Sequence, residues 1–169
     1  YGRQYQSTNM WEDELSQIIS LEAPHLSLYQ LTIEENTSFY KLFKRDLLKG
    51  LPTTKKAAEM YDITKRLCED GDYKQYETSN YARKGFRCKH NLSYWKYNDY
   101  IGVGPGAHGR IKISGKRYAT EEEINPDIWL KKTVAYTSST PKIIPLDNRV
   151  VLEEKLIMKL RISKKIPTS

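Results

Sequence analysis

Residues 90–109, HNLSYWKYNDYIGVGPGAHG, place an imidazole (His90), an amide (Asn91) and a phenol (Tyr94) just ahead of four glycines, Gly102, Gly104, Gly106 and Gly109. His90 and Tyr94 are four positions apart, which sets them on one face of either a helix or a strand. An imidazole can contact a ligand and aromatic rings can lie against a flat aromatic one. The alternative is a hydrogen-bonded histidine beside an aromatic strand core made by Tyr94, Trp95, Tyr97 and Tyr100. The residue types leave both readings open.

Gly104, Gly106 and Gly109 spell GxGxxG, which in a dinucleotide-binding fold must follow a strand and open a helix whose amides receive the pyrophosphate. Here RIKIS follows, and it alternates like a strand, so the required helix is missing. The sequence has no P-loop lysine, no GxSxG elbow and no HExxH pair. Glycines in a strand mark a bend or a close approach by another backbone or a flat ligand. His108, set between glycines, is free of side-chain crowding in sequence and is a second candidate contact. His25 reads as structural.

The elements that must position these residues follow from periodicity and punctuation. Trp11, Leu15, Ile18 and Ile19 predict a helix over Met10–Leu21, with Asn9 and Glu12 as a capping box. LSLYQLT, residues 26–32, predicts a buried strand. A helix is expected over Ser38–Leu48 and a longer one over Lys55–Asp70, capped by Thr53 or Thr54, packed through Ala57, Met60, Thr64 and Leu67, and ended by Gly71. YKQYETSNYA then predicts a strand, and strand–helix–strand order makes parallel pairing plausible. RIKISGKRYAT predicts a hairpin turning at Ser114 and Gly115. Asn125 and Pro126 open a helix over Asp127–Tyr136, TSSTPKIIP predicts a linker, and a last helix is expected over Asp147–Leu160, with an apolar face of Val151, Leu152, Ile157, Met158 and Leu160 ringed by basic residues.

At 169 residues with 38% hydrophobic and 29% charged side chains, the composition is that of a folded soluble domain and excludes a wholly disordered chain. No apolar run reaches the roughly 18 residues of a membrane span and no signal peptide is recognisable, so the expected compartment is cytoplasmic. Two cysteines, Cys68 and Cys88, fit neither a CxxC pair nor a secreted disulfide framework and are expected as reduced, buried or half-buried thiols. The net charge of +7 points to anionic partners: a ligand with carboxylates or phosphates, peripheral contact with a membrane surface, or nucleic acid. No nucleic-acid motif accompanies the charge, and such a partner is not expected. The first residue is Tyr and the last stretch is RISKKIPTS, and both ends read as truncations.

HLSLYQLTIEENTSFY and YETSNYARKGFRCKHNLSYWKYNDYIGVGPGAHG resemble the second half of the HemW-type haem chaperones, close relatives of the oxygen-independent coproporphyrinogen III oxidases of the radical S-adenosylmethionine family. SNYA, the HNxxY motif at His90, Asn91 and Tyr94, and GVGPGAHG are the most specific parts. The resemblance implies an α/β fold: the C-terminal part of a three-quarter (β/α)6 TIM-like barrel over residues 1–72, a β-rich extension over 73–140, and the start of a C-terminal helical domain over 141–169. It implies haem binding at His90, Asn91 and Tyr94, with Arg87, Lys89 or Lys96 pairing the propionates, and S-adenosylmethionine contacts at Thr32 and His108.

The CxxxCxxC triad that holds the family's 4Fe-4S cluster does not occur in these 169 residues, and YGRQYQ stands where the family's loop reads YGLPGQ. S-adenosylmethionine and the cluster are therefore expected as cofactors of a full-length protein, and this stretch alone is expected to be catalytically inactive. The expected function is a haem chaperone passing haem to an acceptor protein. A coproporphyrinogen III oxidase is the alternative, and a basic nucleic-acid-binding domain the third reading. Half a barrel exposes strand edges, so the isolated chain is expected to be poorly stable.

Overall fold

The structure is a computed structural model that describes residues 1–136 and 141–162. The chain divides into two compact units, Tyr1–Arg87 and a second that begins at Cys88.

In the first unit, α1 (Thr8–Ser20) and α3 (Thr54–Asp70) pack together beside a three-stranded sheet of β1 (His25–Ser27), β2 (Lys74–Glu77) and β3 (Asn80–Ala82), and a short α2 (Ser38–Lys44) lies between β1 and α3 in sequence. The stripe expected on α1 is buried through Trp11 and Leu15, and on α3 through Ala57, Met60, Thr64 and Cys68. Trp11, Leu15, Leu26, Met60, Cys68, Tyr73 and Tyr81 form one apolar cluster. At its edge the Trp11 indole donates to Thr64 Oγ1 at 2.8 Å and that hydroxyl donates to the Met60 carbonyl at 2.7 Å, while the Tyr81 hydroxyl is buried without a hydrogen-bond partner among the described residues.

Several expectations are corrected here. The cap of α1 is Ser7, whose hydroxyl accepts from the Met10 amide at 3.0 Å, while Asn9 sits inside the helix. The strand expected over 26–32 stops at Ser27, because its partner β3 is three residues long. Beyond it, the Leu31 amide donates to the Tyr1 carbonyl at 2.7 Å, and Tyr29 and Leu31 are exposed instead of buried. YKQYETSNYA is two strands, since the Glu77 carboxylate accepts from the Ser79 amide at 2.8 Å and from the Asn80 side chain and so closes a turn. Both β1 and β2 are antiparallel to β3, which lies between them. They share a direction without being neighbours, so the expected parallel pair is not formed.

Gly71 ends α3 as expected, but for a different reason. Its φ is −88°, and the left-handed position falls to Asp72 (φ 63°). A Cβ on Gly71 would lie 2.9 Å from Ile19 Cγ2, so the glycine makes room for α1.

The second unit contains α4 (Lys89–Trp95), α5 (Pro126–Tyr136), α6 (Asn148–Ile162) and an antiparallel sheet of β4 (His108–Ile113), β5 (Lys116–Glu121) and β6 (Lys142–Pro145), in the order β4-β5-β6. The predicted hairpin is present, with Ser114 (φ 47°) and Gly115 (φ 82°) as its two-residue turn. Asn125 caps α5 through its side-chain oxygen, which accepts from the Asp127 and Ile128 amides at 3.0 and 3.1 Å.

Residues 137–140 of the expected linker lie outside the described residues; 142–145 form the edge strand β6, paired with Tyr118–Glu121. The proline at its end is tolerated because an edge leaves one side of the ladder unused. The single apolar face expected of α6 is not buried: Leu152, Ile157 and Leu160 are exposed, Val151 and Met158 half-buried. Among the described residues no helix is long and apolar enough to cross a membrane.

Candidate functional site

The short helix α4 decides between the two geometries left open for His90 and Tyr94. One helical turn brings the Tyr94 hydroxyl to 3.2 Å from His90 Nε2, with the rings edge-to-face at 4.6 Å between centroids. Tyr94 in turn meets Tyr100 at 4.3 Å, again edge-on. Tyr100 is fixed by a two-way backbone bridge to Arg110 of β4, each bond 2.8 Å long. Burial pushes its phenol pKa up. His90, Tyr94 and Tyr100 therefore form a chain of rings running from an exposed imidazole to the sheet, and Asn91 sits beside His90 on the same helix. The aromatic strand core expected from Tyr94, Trp95, Tyr97 and Tyr100 is not what forms: Tyr94 and Trp95 are helical, and Tyr97 turns the chain with φ 59°.

The glycine segment is a loop rather than a bent strand. Its cause is close backbone approach: a Cβ on Gly102 would fall 2.5 Å from the His108 carbonyl oxygen, and one on Gly109 would collide with Thr120 Oγ1 and lie 3.0 Å from the Tyr100 carbonyl. Gly104 (φ 110°) and Gly106 (φ 70°) supply the left-handed turns between them. Gly109 leads along strand β4 and not into a helix, which removes the dinucleotide reading.

His108 is exposed at the first position of β4, opposite Glu121. Thr32 is exposed in the first unit, five residues past β1, where its hydroxyl donates to the Gln30 carbonyl at 3.4 Å. Thr32 belongs to the first unit and His108 to the second. His25 is structural in the sense expected, with Nε2 2.7 Å from the Tyr76 hydroxyl and a pKa lowered by burial. Of the cations expected beside a haem, Lys89 and Lys96 are exposed on and after α4, and Arg87, in the first unit, lies 6.0 Å from the Tyr76 ring centroid.

Two polar clusters escape a reading by local spacing. In the first unit Glu77, 3% exposed, accepts from Asn80, and Asn80 accepts from the Ser27 hydroxyl at 2.6 Å. SNYA is the signal for it, since a buried asparagine between strand residues needs partners. In the second unit Arg110 grips Glu154 of α6, Nη2 to Oε1 at 2.8 Å and Nε to Oε2 at 3.2 Å, and the Tyr97 hydroxyl donates to the same carboxylate. Burial pulls the Glu154 pKa up, but the bonds from Arg110 and Tyr97 outweigh it and hold the carboxyl below the ordinary range. Burial and the carboxylate push Tyr97 up to about 12. The partners are 44 and 57 positions apart in sequence, beyond any periodicity rule.

The cysteines do not suit an iron–sulfur cluster, which takes three thiolates in this chemistry. Cys68 is fully buried with its thiol pushed up to about 12 by desolvation, Cys88 is half-buried, and no group of three His, Cys, Asp or Glu side chains suited to a metal occurs among the described residues.

No protein-family model matches the sequence. The chain is 37% identical over 165 residues to the mitochondrial radical S-adenosyl methionine domain-containing protein 1 of Danio rerio, covering 95% of this chain and 37% of that protein. It is 40% identical over 134 residues to the haem chaperone HemW of Haemophilus influenzae, and 43% over 104 residues to that of Escherichia coli, covering 78% and 62% of this chain and 33% and 26% of the relatives. The chain thus spans little more than a third of these proteins at most. In fold it is similar to the Escherichia coli radical SAM enzyme coproporphyrinogen III oxidase HemN, with a TM-score of 0.70 at 13% identity, covering 96% of this chain and 39% of that one. By these sequence similarities the chain belongs to the family of HemW and of radical S-adenosyl methionine domain-containing protein 1.

Proposed function

We propose that this chain is the haem-handling portion of a haem chaperone, with His90 as the iron ligand and Tyr94 and Asn91 orienting it. The observation that carries this reading is the exposed imidazole braced edge-on by Tyr94, which is itself braced by Tyr100. Haem, when bound, supplies an iron that accepts an imidazole nitrogen and two propionates that accept from Lys89 or Lys96. The residues fit that role because the imidazole is exposed, aromatic surface adjoins it and unburied cations flank the helix. On this reading the protein hands haem to an acceptor in the cytoplasm or, as the names of several relatives suggest, in a mitochondrion.

The same proposal takes residues 1–72 as the end of a three-quarter barrel, 73–140 as its β-rich extension and 141–169 as the start of a further domain. Thr32 and His108 are then contacts for S-adenosylmethionine in the whole protein. No step through the iron–sulfur cluster is assigned to these residues, because their cysteines do not suit one. The oxidase alternative rests on likeness of fold alone, whereas HemW is the name carried by relatives of higher identity.

Haem titration of the chain, read by the Soret band, tests the proposal. His90→Ala is expected to abolish the Soret shift of the complex or weaken affinity by about tenfold or more, as loss of an axial ligand requires. An unchanged spectrum and affinity in that variant would sink it. Anaerobic turnover of coproporphyrinogen by the whole protein would instead favour the oxidase.

A further inference from the structure

In the second unit, the hairpin turn of β4 and β5, the end of β6 and the first turn of α6 enclose a cleft of about 930 Å³. That volume lies within the roughly 300–1,000 Å³ range of small-molecule sites. Its wall carries four cations, Lys112, Lys116, Arg117 and Lys155, and two carboxylates, Asp99 and Asp147.

The carboxylates are already engaged. Asp99 takes the Arg117 guanidinium through Oδ1 and the Lys112 backbone amide through Oδ2 at 3.0 Å. Asp147 caps α6, its Oδ1 accepting from the Val150 amide at 2.9 Å.

The cations divide differently. Arg117 has a side chain only 10% exposed, stacks at 4.4 Å on the Tyr97 ring and donates to the Asn98 carbonyl at 2.9 Å, yet its Nε has no hydrogen-bond partner. A buried guanidinium with an unused donor is a costly arrangement unless the site around it gains from the charge. None of the ammonium groups of Lys112, Lys116 and Lys155 is paired with a carboxylate among the described residues. Lys155 lies 5.8 Å from the Tyr97 ring centroid, so Tyr97 has a cation near it from both the hairpin and the helix. Pro145, Leu146 and Val151 form an apolar part of the wall, beside Tyr97, Asn98, Gly115 and Asn148.

We propose that this cleft binds a small organic polyanion carrying at least two phosphate or carboxylate groups. The three lysines, whose ammonium groups no carboxylate among the described residues neutralises, take the charged groups, and the apolar part of the wall receives the body of the ligand. The inference stands on the second unit alone and does not depend on the haem reading, since neither His90 nor Tyr94 lines the cleft.

Isothermal titration of the full chain with pyrophosphate and, separately, with citrate tests it. A single saturable site is expected for at least one probe; pyrophosphate alone identifies a phosphate ligand and citrate alone a carboxylate one. The double variant Lys112→Ala/Lys116→Ala should weaken that binding by about tenfold or more at low salt, because two unpaired cations are removed from the rim. The control Lys55→Ala/Lys65→Ala changes net charge equally on the exposed surface of α3 and should leave binding within about twofold. Circular dichroism of both variants checks that they fold. Absence of saturable binding of either probe to a folded wild-type chain, or equal weakening in the two double variants, overturns the proposal.

Discussion

The two units of this chain hold themselves together by different means. The first encloses Leu15, Met60, Cys68, Tyr73 and Tyr81 with at most 1% of each exposed, around two helices whose apolar stripes face each other. In the second, Gly109, Ala119 and Thr120 are the buried residues among those described, and α6 has none. There Arg110 of β4 pairs with Glu154 of α6, the Arg161 guanidinium of α6 lies 4.4 Å from the Trp95 ring centroid of α4, and Arg117 and Lys132 pair with Asp99 and Glu123 of neighbouring loops. Burial of apolar surface carries no charge for salt to screen or for pH to titrate, whereas ion pairs respond to both. One unit is a scaffold in its own right, and the other a charged surface on which both the HNxxY face and the polyanion cleft are built.

The widest separation between them should come from truncating an apolar side chain in each. Leu15→Ala empties part of a fully buried site and should cost about 2–5 kcal/mol of first-unit stability, while Leu152→Ala, at a position 68% exposed, should stay within about 0.5 kcal/mol. Native-state hydrogen exchange reads the units separately. Comparable losses at the two positions would break the comparison, by showing that α6 is covered in solution.

Glycine substitutions sharpen the contrast on a smaller scale. Gly102→Ala drives a Cβ into the His108 backbone, which cannot swing aside as a side chain would, and should cost about 1–3 kcal/mol. Gly85→Ala, in the first unit, meets open space and carries only the left-handed penalty of its φ of 90°, about 1 kcal/mol. Equal effects measured by chemical denaturation would mean that the loop at Gly102 relaxes and that its glycine is replaceable.

How much of this was legible in the sequence depended on the range of the interaction. Helices α3 and α5, the Ser114–Gly115 turn and the Asn125 cap follow from local signals within a few residues, and they formed as expected. The cap of α1 fell two residues early because Ser7 and Asn9 both have an amide three positions ahead, and spacing alone does not choose between them. Strand β1 was overread because the length of a strand is fixed by its partner, and β3 lies more than 50 positions away. At the candidate site, the shared face of His90 and Tyr94 needed only the four-residue spacing. Tyr100, which braces it, and Glu154, which gathers Arg110 and Tyr97, depend on tertiary contacts that no period encodes.

The Arg110–Glu154 pair predicts a pH response in the second unit. Glu154 titrates below its ordinary value of 4.5 in the folded chain, so it binds fewer protons there than when unfolded. Its contribution is therefore complete above the unfolded value and is lost as pH falls through the folded one. Glu154→Gln should cost about 1–2 kcal/mol at neutral pH and flatten the acid limb of second-unit stability below about pH 4.5. Unchanged acid sensitivity in the variant would move the response to other carboxylates.

The smallest effects should come from the helix caps, and they differ in kind more than in size. Ser7 Oγ and Asp147 Oδ1 each accept a bond from an amide three residues on, and replacing either by alanine should cost about 1 kcal/mol. In α1 the helix is still clamped by Trp11 and Leu15, so Ser7→Ala should lower protection of the first unit evenly. In α6 no buried side chain holds the first turn, so Asp147→Ala should fray it locally, with the amides of Val150 and Val151 losing protection before those near Glu154. If Asp147→Ala instead lowers protection evenly along α6, the Arg110–Glu154 pair transmits strain as a packed core does, and the distinction between a unit held by burial and a unit held by charge gives way.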